Sequence, residues 1–141
     1  MGGYTAPRFA SGEKRCRATA FWSGAYSLRE DIFDNFPPIR DRLRWLMGAK
    51  DLAEAKTKIA EFTLEGKANQ IECPMLIGYS KDDRIMDPRG AFRLYEAATR
   101  SKREMLEGVG HDSGRVLSAS RTKAAREVLM ADWMMKHLVA A

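Results

Sequence analysis

Short runs of apolar, β-prone residues alternate along the chain with longer segments of helical periodicity. "RATAFW" (residues 17–22) and "MLIGY" (residues 75–79) are nearly continuous apolar runs, as in strands buried on both faces. "KREML" (residues 102–106) predicts a third, shorter strand. Because helices separate these strands, we expect a parallel sheet with right-handed crossovers, and therefore an α/β fold.

A short helix is predicted over residues 3–10, before the first strand. Two further helices are predicted between the first two strands. Pro37-Pro38 can open the first of them, since an N-terminal proline lacks only an N–H that has no helical partner. Gly48 ends it, and the second ends near Gly66. Apolar residues at intervals of three and four predict that both helices present packing faces rather than a groove for a partner. These residues are Phe36, Ile39, Leu43 and Leu46, then Leu52, Ala55, Ile59 and Phe62.

Two further helices are predicted after the second and third strands. Asp87 is the predicted N-cap of the first, with Pro88 at its first position. The last helix is expected over residues 120–138. The predicted apolar faces comprise Ala91, Leu94, Tyr95 and Ala98 in the first helix, and Ala124, Val128, Ala131, Met135 and Leu138 in the last.

Length and composition indicate one ordinary globular domain. The chain has 141 residues, of which 45% are hydrophobic and 30% charged, with a net charge of +5. The densest basic cluster spans only residues 14–17, so we expect a mixed, solvated surface and no nucleic-acid partner. No apolar run is long enough to cross a membrane and none has the form of a signal peptide, so the expected location is the cytoplasm.

The cysteines and histidines are too few to predict a disulfide framework or a metal site. Cys16 and Cys73 each precede a predicted strand, where a buried thiol acts as a small hydrophobic group. Two separated histidines complete the set of candidate ligands. We therefore expect no metal site.

Polar residues come directly after each predicted strand, at the sheet edge where open α/β sheets bind ligands. They are Ser23-Gly24, Asp82-Asp83 and the run His111-Asp112-Ser113. An acid after one strand and a histidine after the next can meet, as in the carboxylate–imidazole pair that orients a general base. Taken singly, the two acids could be turn formers and His111 a loop residue. His137 is expected to be a surface group or a favourable charge at a helix C-terminus.

A nucleophile to complete such a set is missing from the predicted positions. No serine has glycine both two residues before and two residues after it, as the strand–turn–helix elbow G-x-S-x-G requires. Ser113 shares a loop with His111 but begins no such elbow, and both cysteines lie at the wrong end of a strand. The residues therefore offer an acid and a base with nothing to activate.

The chain resembles the C-terminal half of an α/β-hydrolase. "CPMLIGYSKDDRIMDP" is similar to the family phrase C-P-x-L-x-x-H-G-x-x-D-x-x-V-P, which assigns the acid to Asp83 rather than Asp82. Tyr79 and Ser80 stand where the family usually has His-Gly. "GVGH" resembles the family loop that carries the base, here His111, and "ADWMMKHL" is similar to the closing helix.

Within the family, "FWSGAYSL" and the segment after it are similar to the branch of pseudooxynicotine hydrolase and the fermentation-respiration-switch-type esterases. That resemblance implies a helical cap over residues 28–68, with residues 1–27 and 69–141 in the core. The expected architecture is thus a partial α/β-hydrolase fold of about three parallel strands, flanking helices and a cap insert.

"MGGY" is similar to the residues that come directly after the catalytic serine in this branch, whose elbow often reads G-x-S-M-G-G-Y. The resemblance then implies that the chain is truncated just after that serine and that Met1 carries the backbone oxyanion donor. The implied parent is a serine hydrolase acting on an ester or on a C–C bond next to a carbonyl, with Trp22, Ser23 and Tyr26 shaping the pocket for a small carbonyl substrate. The implied chemistry needs no metal and no organic cofactor. This chain alone would be catalytically incomplete.

Two other functions stay open at this point. One is a non-catalytic interaction module, and the other is a peptidase of the same fold, which would need a pocket that recognises an amine. Removal of a neighbouring strand would also expose the edge of residues 17–22, so we expect self-association through that edge.

Overall fold

The computed structural model describes residues 2–111 and 125–139. Its strands β1 (Thr19–Trp22), β2 (Met75–Tyr79) and β3 (Arg103–Glu107) form one parallel sheet in the order β1-β2-β3. The predicted parallel α/β sheet is confirmed. Since the three strands run the same way, their carboxyl ends lie at one edge of the sheet.

The sheet register brings the ends of neighbouring strands level with one another. Trp22 of β1 lies beside Gly78 of β2, and Tyr79 lies beside Glu107 of β3. Strand β1 is shorter than predicted, because it begins at Thr19 rather than at the start of "RATAFW".

Helices precede, separate and follow the strands. Between β1 and β2 the chain also makes a π-type helical turn (Arg29–Asp34) and 3-10 turns at Pro37–Ile39 and Ala68–Gln70. None of the helices among the described residues is long and apolar enough to cross a membrane. The α-helices are α1 (Gly2–Ala10), α2 (Arg40–Leu46), α3 (Leu52–Ile59), α4 (Arg89–Ala97) and α5 (Arg126–Val139).

Short acidic side chains start two of these helices. The Asp51 carboxylate accepts a hydrogen bond from the Glu54 N–H (2.8 Å), while Glu54 accepts one from the Lys50 N–H (2.9 Å), which makes a reciprocal cap for α3. Asp87 accepts from the Arg89 N–H (2.9 Å) at the start of α4. The predicted N-cap is one residue too early, because α4 begins at Arg89 and Pro88 is its N-cap residue, although the Asp87 carboxylate does bind a backbone N–H at the helix start.

The core is divided by the sheet into two clusters. Alternate side chains of each strand point to opposite faces, so Phe21 and Ile77 lie in the larger cluster and Leu76 in the smaller one. The larger cluster also takes in α1, α4 and the segment between β1 and β2. In the smaller cluster, α5 packs against the other face of the sheet. Met130, Trp133 and Met134 of α5 lie there with Ala18, Ala20 and Leu106.

Helix α3 ends at Ile59, seven residues before the predicted end near Gly66. Beyond it, the Leu64 N–H donates to the Tyr26 carbonyl (2.8 Å), and the Leu28 N–H donates to the Phe62 carbonyl (3.0 Å). These tertiary hydrogen bonds replace the helical ones, so the chain here lies antiparallel to the loop after β1. The spacing of apolar residues gives no information on whether the backbone forms helical or tertiary hydrogen bonds here.

Several residues of the predicted packing faces are exposed to a large degree, which corrects the prediction. Leu43, Ala55 and Ile59 are buried, whereas side chains nearer the ends of the predicted helices turn outward. Tyr95 of α4 lies instead under the guanidinium of Arg103, whose carbon is 4.7 Å from the ring centroid. The outward residues are Leu46, Leu52, Phe62 and Tyr95.

Helix α5 packs on a different face from the predicted one. Val128, Met135 and Leu138 are about half exposed, whereas Trp133 is 7% exposed against the sheet. A buried indole removes more apolar surface from water than the smaller side chains of the predicted stripe, which accounts for the rotation. Ala124 and residues 120–123 of the predicted helix lie outside the described residues.

Cys16 and Cys73 lie beside each other just before β1 and β2. Their sulfur atoms are 3.8 Å apart and both thiols are free. Burial, and to a smaller degree the neighbouring Cys16, raises the pKa of the Cys73 thiol to about 12. The Cys73 thiol therefore stays protonated at neutral pH, as the predicted small hydrophobic group would.

Candidate active site

Asp83 is held rigidly in the turn after β2. Its N–H donates to the Ser80 carbonyl (3.2 Å), and its Oδ1 accepts from the N–H groups of Ile85 (2.9 Å) and Met86 (3.0 Å). The side chain is 2% exposed. Because Oδ1 is occupied by two backbone donors, Oδ2 is the oxygen directed toward the next strand end.

His111 meets that oxygen from the loop after β3. Its Nδ1 lies 2.9 Å from Oδ2 of Asp83, and the imidazole is 27% exposed. A carboxylate that receives the Nδ1–H fixes the tautomer in which Nε2 can accept a proton. The expected contact between an acid and a histidine at successive strand ends is thus present.

The loop before His111 is shaped by a glycine and by the second acid. Gly110 has φ +60, in the left-handed region that side chains with a Cβ rarely adopt. Its N–H donates to Oδ1 of Asp82 (2.8 Å). Asp82 therefore holds the loop backbone and Asp83 holds the imidazole, which separates the roles of two adjacent acids that the residues alone left open.

A second set of contacts ties β2 to β3 just outside this pair. The Gly108 N–H donates to the Tyr79 carbonyl (2.6 Å), and the Tyr79 hydroxyl donates to Glu107 (3.2 Å). Lys81 pairs with the same Glu107 carboxylate at 3.0 Å. Burial, with Glu107 next, raises the pKa of Tyr79, so its hydroxyl remains a donor. These contacts align the two strand ends that carry the acid and the histidine.

A cavity of about 290 Å³ opens beside His111. Trp22 and Ser23, both predicted pocket residues, line it from the end of β1. Most of the remaining wall is apolar or glycine, which suits a small, largely apolar ligand. That wall is made by Gly2, Gly3, Tyr4, Gly24, Ala25, Leu28, Ile32, Ile85 and Met86. Arg126 also lines the cavity, and it is the one arginine or lysine among the described residues that do so.

Ser23 is conformationally unusual within this wall. It has φ +40, a value that non-glycine residues rarely adopt, and its hydroxyl is buried without a hydrogen-bond partner among the described residues. The Ser80 hydroxyl is also buried and unpaired within that part of the chain. Both serines border the same void of about 10 Å³ next to Asp83. Neither hydroxyl hydrogen-bonds to Asp83 or to His111.

Tyr26, the third predicted pocket residue, lies elsewhere. It is buried and lines a separate cavity of about 530 Å³ with Arg93, whose guanidinium carbon is 5.1 Å from the tyrosine ring centroid. The Tyr26 N–H donates to the buried Asp31 carboxylate (2.6 Å), which also pairs with Arg93. Burial raises the pKa of Asp31, and the hydrogen bonds and Arg93 oppose that effect. This group joins the segment after β1 to α4, away from His111.

The remaining sequence candidates divide between the described residues and the rest of the chain. Met1, Asp112 and Ser113 lie outside the described residues. His137 is in the last turn of α5, where its Nδ1 is 2.8 Å from the Trp133 carbonyl oxygen and its ring stacks on the indole. It therefore packs on the helix and does not line the cavity beside His111.

Two contributors to the site are not predicted from the sequence. Asp82 holds the histidine loop by a contact with the Gly110 backbone, which no side-chain motif encodes. Arg126 belongs to no motif, and the sequence alone does not distinguish it from the many surface charges. In the structure it lines the cavity with His111. The predicted last helix over residues 120–138 places Arg126 in the helix interior, so no sequence signal identifies it as a site residue.

Comparison with known proteins places this arrangement in a known fold. No protein-family model matches the sequence, and no curated protein matches it. Among solved structures, 2,6-dihydroxy-pseudo-oxynicotine hydrolase is similar over 98% of this chain, with 23% identity and a TM-score of 0.78. Acetyl xylan esterase 1 from Thermoanaerobacterium sp. JW/SL YS485 is similar over 99%, with 19% identity and a TM-score of 0.63.

The chain spans 38% of the length of the first of these proteins and 42% of the second. Its three parallel strands and flanking helices are a part of the α/β-hydrolase fold. The predicted fold class is confirmed.

Proposed function

We propose that this chain supplies the acid and the base of a serine-type hydrolase that acts on an ester or on a C–C bond next to a carbonyl. The observation that carries the proposal is the 2.9 Å contact between Nδ1 of His111 and the buried Oδ2 of Asp83 at adjacent strand ends. A carboxylate with its other oxygen bound to two backbone N–H groups is rigid enough to orient an imidazole.

In this mechanism Nε2 of His111 takes the proton of a serine hydroxyl as its oxygen bonds to the substrate carbonyl carbon. The carbonyl electron pair moves onto oxygen, and two backbone N–H donors stabilise that charge. When the tetrahedral intermediate collapses, the bond to the leaving group breaks and the imidazolium returns its proton to that group. Water then attacks the acyl-enzyme by the same steps, while Asp83 stabilises the charged imidazole each time.

The nucleophile we propose is a serine that directly precedes Met1 in a longer protein, with the backbone N–H at Met1 as one oxyanion donor. Two observations support this position. Gly2 and Gly3 line the same cavity as His111, so the first helix of the described chain begins beside the imidazole. The two solved hydrolases to which the chain is similar are also more than twice its length.

The pocket we propose is the cavity beside His111, with Trp22 and Ser23 in its wall. Leu28 and Ile32 reach it from the segment of residues 28–68, which supports a cap role for that segment. Tyr26 is not included, since it lines the other cavity. No carboxylate of a described residue lines the cavity beside His111, so we do not propose a peptidase that recognises a substrate amine.

The test begins with the DNA upstream of the Met1 codon. We expect an in-frame segment that encodes a strand and then Gly-x-Ser, and a longer protein that hydrolyses p-nitrophenyl butyrate. His111→Ala in the longer protein is expected to lower kcat by roughly 10⁶, and residues 1–141 alone should show little turnover. Inactivity of the longer protein, or activity that survives His111→Ala, would instead favour a non-catalytic module.

A further inference from the structure

The cavity beside His111 contains an arginine that the proposed chemistry does not require. Arg126 is the first residue of α5, and it lines this cavity with His111 and Trp22. The acid–base relay needs only Asp83, His111 and a nucleophile. An arginine among mainly apolar residues and glycines is therefore a candidate for binding the substrate rather than for taking part in the chemistry.

Packing of Trp22 fixes where the guanidinium lies. The indole of Trp22 lies against the neighbouring strand at Gly78, where an added Cβ would come within 2.0 Å of Cε3 of the ring. Glycine at this position therefore lets the indole approach the backbone of β2. The guanidinium carbon of Arg126 is 5.7 Å from the centroid of the same ring, within the range of a cation–π contact.

Among the described residues, Arg126 pairs with one carboxylate, and that carboxylate lies outside the cavity. Its Nε and Nη2 each donate to Oε1 of Glu127, at 2.9 and 2.6 Å. The Glu127 side chain is 62% exposed and outside the cavity, while that of Arg126 is 24% exposed. A guanidinium has five N–H donors, so these two bonds leave donors for a ligand. No Asp or Glu among the described residues lines the cavity to compete for them.

We propose that this cavity takes a substrate with a carboxylate next to an apolar body, and that Arg126 binds the carboxylate. This proposal rests on the proposed function and adds the substrate class. The planar, forked guanidinium matches the two oxygens of a carboxylate, and a ligand inside the cavity would be less screened by salt than one on the surface. The apolar wall would hold the body of the ligand so that its carbonyl meets His111.

Binding to residues 1–141 tests the proposal without any turnover. The probes are 4-phenylbutyrate and its neutral amide, 4-phenylbutanamide, which differ in charge and scarcely in shape. By isothermal titration calorimetry the carboxylate should bind about tenfold tighter than the amide, the preference expected of one charge-assisted contact. Arg126→Gln should remove that preference and leave amide binding unchanged, and Arg126→Lys should keep part of it.

Two further variants sharpen the result. Glu127→Gln removes the carboxylate outside the cavity that accepts from Nε and Nη2 of Arg126, and it should strengthen 4-phenylbutyrate binding several-fold without affecting the amide. Arg15→Gln is the matched control, since Arg15 makes the same two-nitrogen contact with Glu13 but is 89% exposed and outside the cavity. It should change neither affinity. Circular dichroism and thermal unfolding of each variant verify that the fold is retained.

The proposal is overturned if neither probe binds, if the wild-type chain does not prefer the carboxylate, or if Arg126→Gln weakens both probes equally. The last result would mean that Arg126 only shapes the wall. None of these results bears on the acid–base pair, which is tested by the His111→Ala hydrolysis assay on the longer protein. The two proposals can therefore fail separately.

Discussion

The Nδ1 atom of His111 lies 2.9 Å from Oδ2 of Asp83, although the two residues are 28 positions apart in the chain. Helix α4 lies within that separation, and the parallel crossover it forms brings the end of β3 beside the end of β2. The contact is thus a direct product of the topology, and its consequences for activity can be measured by substitution.

Asp83 and Asp82 are expected to differ sharply in their effect on hydrolysis by the longer protein. Asp83→Asn keeps the shape but no longer favours the required imidazole tautomer, so kcat should fall by about 10⁴. Asp82→Asn retains an oxygen that can accept from the Gly110 N–H, so its kcat should fall by less than about tenfold. Steady-state kinetics on the two variants measures the difference, and equal losses would contradict the assigned roles.

Gly110→Ala should destabilise the fold through backbone strain. A side chain at φ +60 is expected to cost about 1–2 kcal/mol, although, apart from its chain neighbours, no atom of the described residues would lie within 4 Å of an added Cβ. Urea unfolding followed by circular dichroism gives the change in free energy. Gly12→Ala is the matched control, because Gly12 lies outside the left-handed region and an added Cβ there meets only an ordinary contact. A loss at Gly110 no greater than at Gly12 would contradict the strain.

Cys73 should resist alkylation in the folded protein. A pKa of about 12 leaves roughly one thiol in ten thousand ionised at about pH 8, and the thiolate is the reactive form. We expect iodoacetamide to modify Cys73 at least about a hundredfold more slowly in buffer than in a fully unfolding concentration of guanidinium chloride, as measured by mass spectrometry. Equal rates in the two conditions would show that burial does not protect the thiol.

Asp87 should make stability depend on acid pH. Hydrogen bonds from the Arg89 side chain, which outweigh the opposing effect of burial, hold the pKa of Asp87 below its ordinary value. The carboxylate therefore contributes stability above the ordinary Asp pKa of about 3.9, and that contribution is lost as pH falls through the lowered folded value. Asp87→Asn retains the oxygen that caps α4 but cannot ionise, so its stability should change less than that of the wild type between about pH 5 and about pH 2.

Urea unfolding at several pH values provides the measurement for Asp87. Asp41→Asn serves as the comparison, because Asp41 also pairs with an arginine but its side chain is 85% exposed. If the free energy of unfolding of Asp87→Asn depends on pH as strongly as that of the wild type, the ion pair with Arg89 does not contribute as proposed.

The strands and their parallel direction were predictable because short apolar runs, suited to burial on both faces, alternate along the chain with helical segments. The acid and histidine were predictable for a related reason, since polar residues directly after parallel strands share one edge. The helix faces were predicted less well. Met135 fits an apolar spacing but lies outward, because the burial of the larger Trp133 decides which face of α5 packs on the sheet.

By itself the sequence determined the alternation of strands and helices and the placement of Asp83 and His111 at strand ends, because these depend on local periodicity and turn chemistry. Only the tertiary structure decided that Asp82 holds the histidine loop, that Tyr26 lines a second cavity and that Arg126 lines the first. Those outcomes depend on contacts between residues distant in the chain, where competing hydrogen bonds and packing volumes select one arrangement that no local pattern encodes.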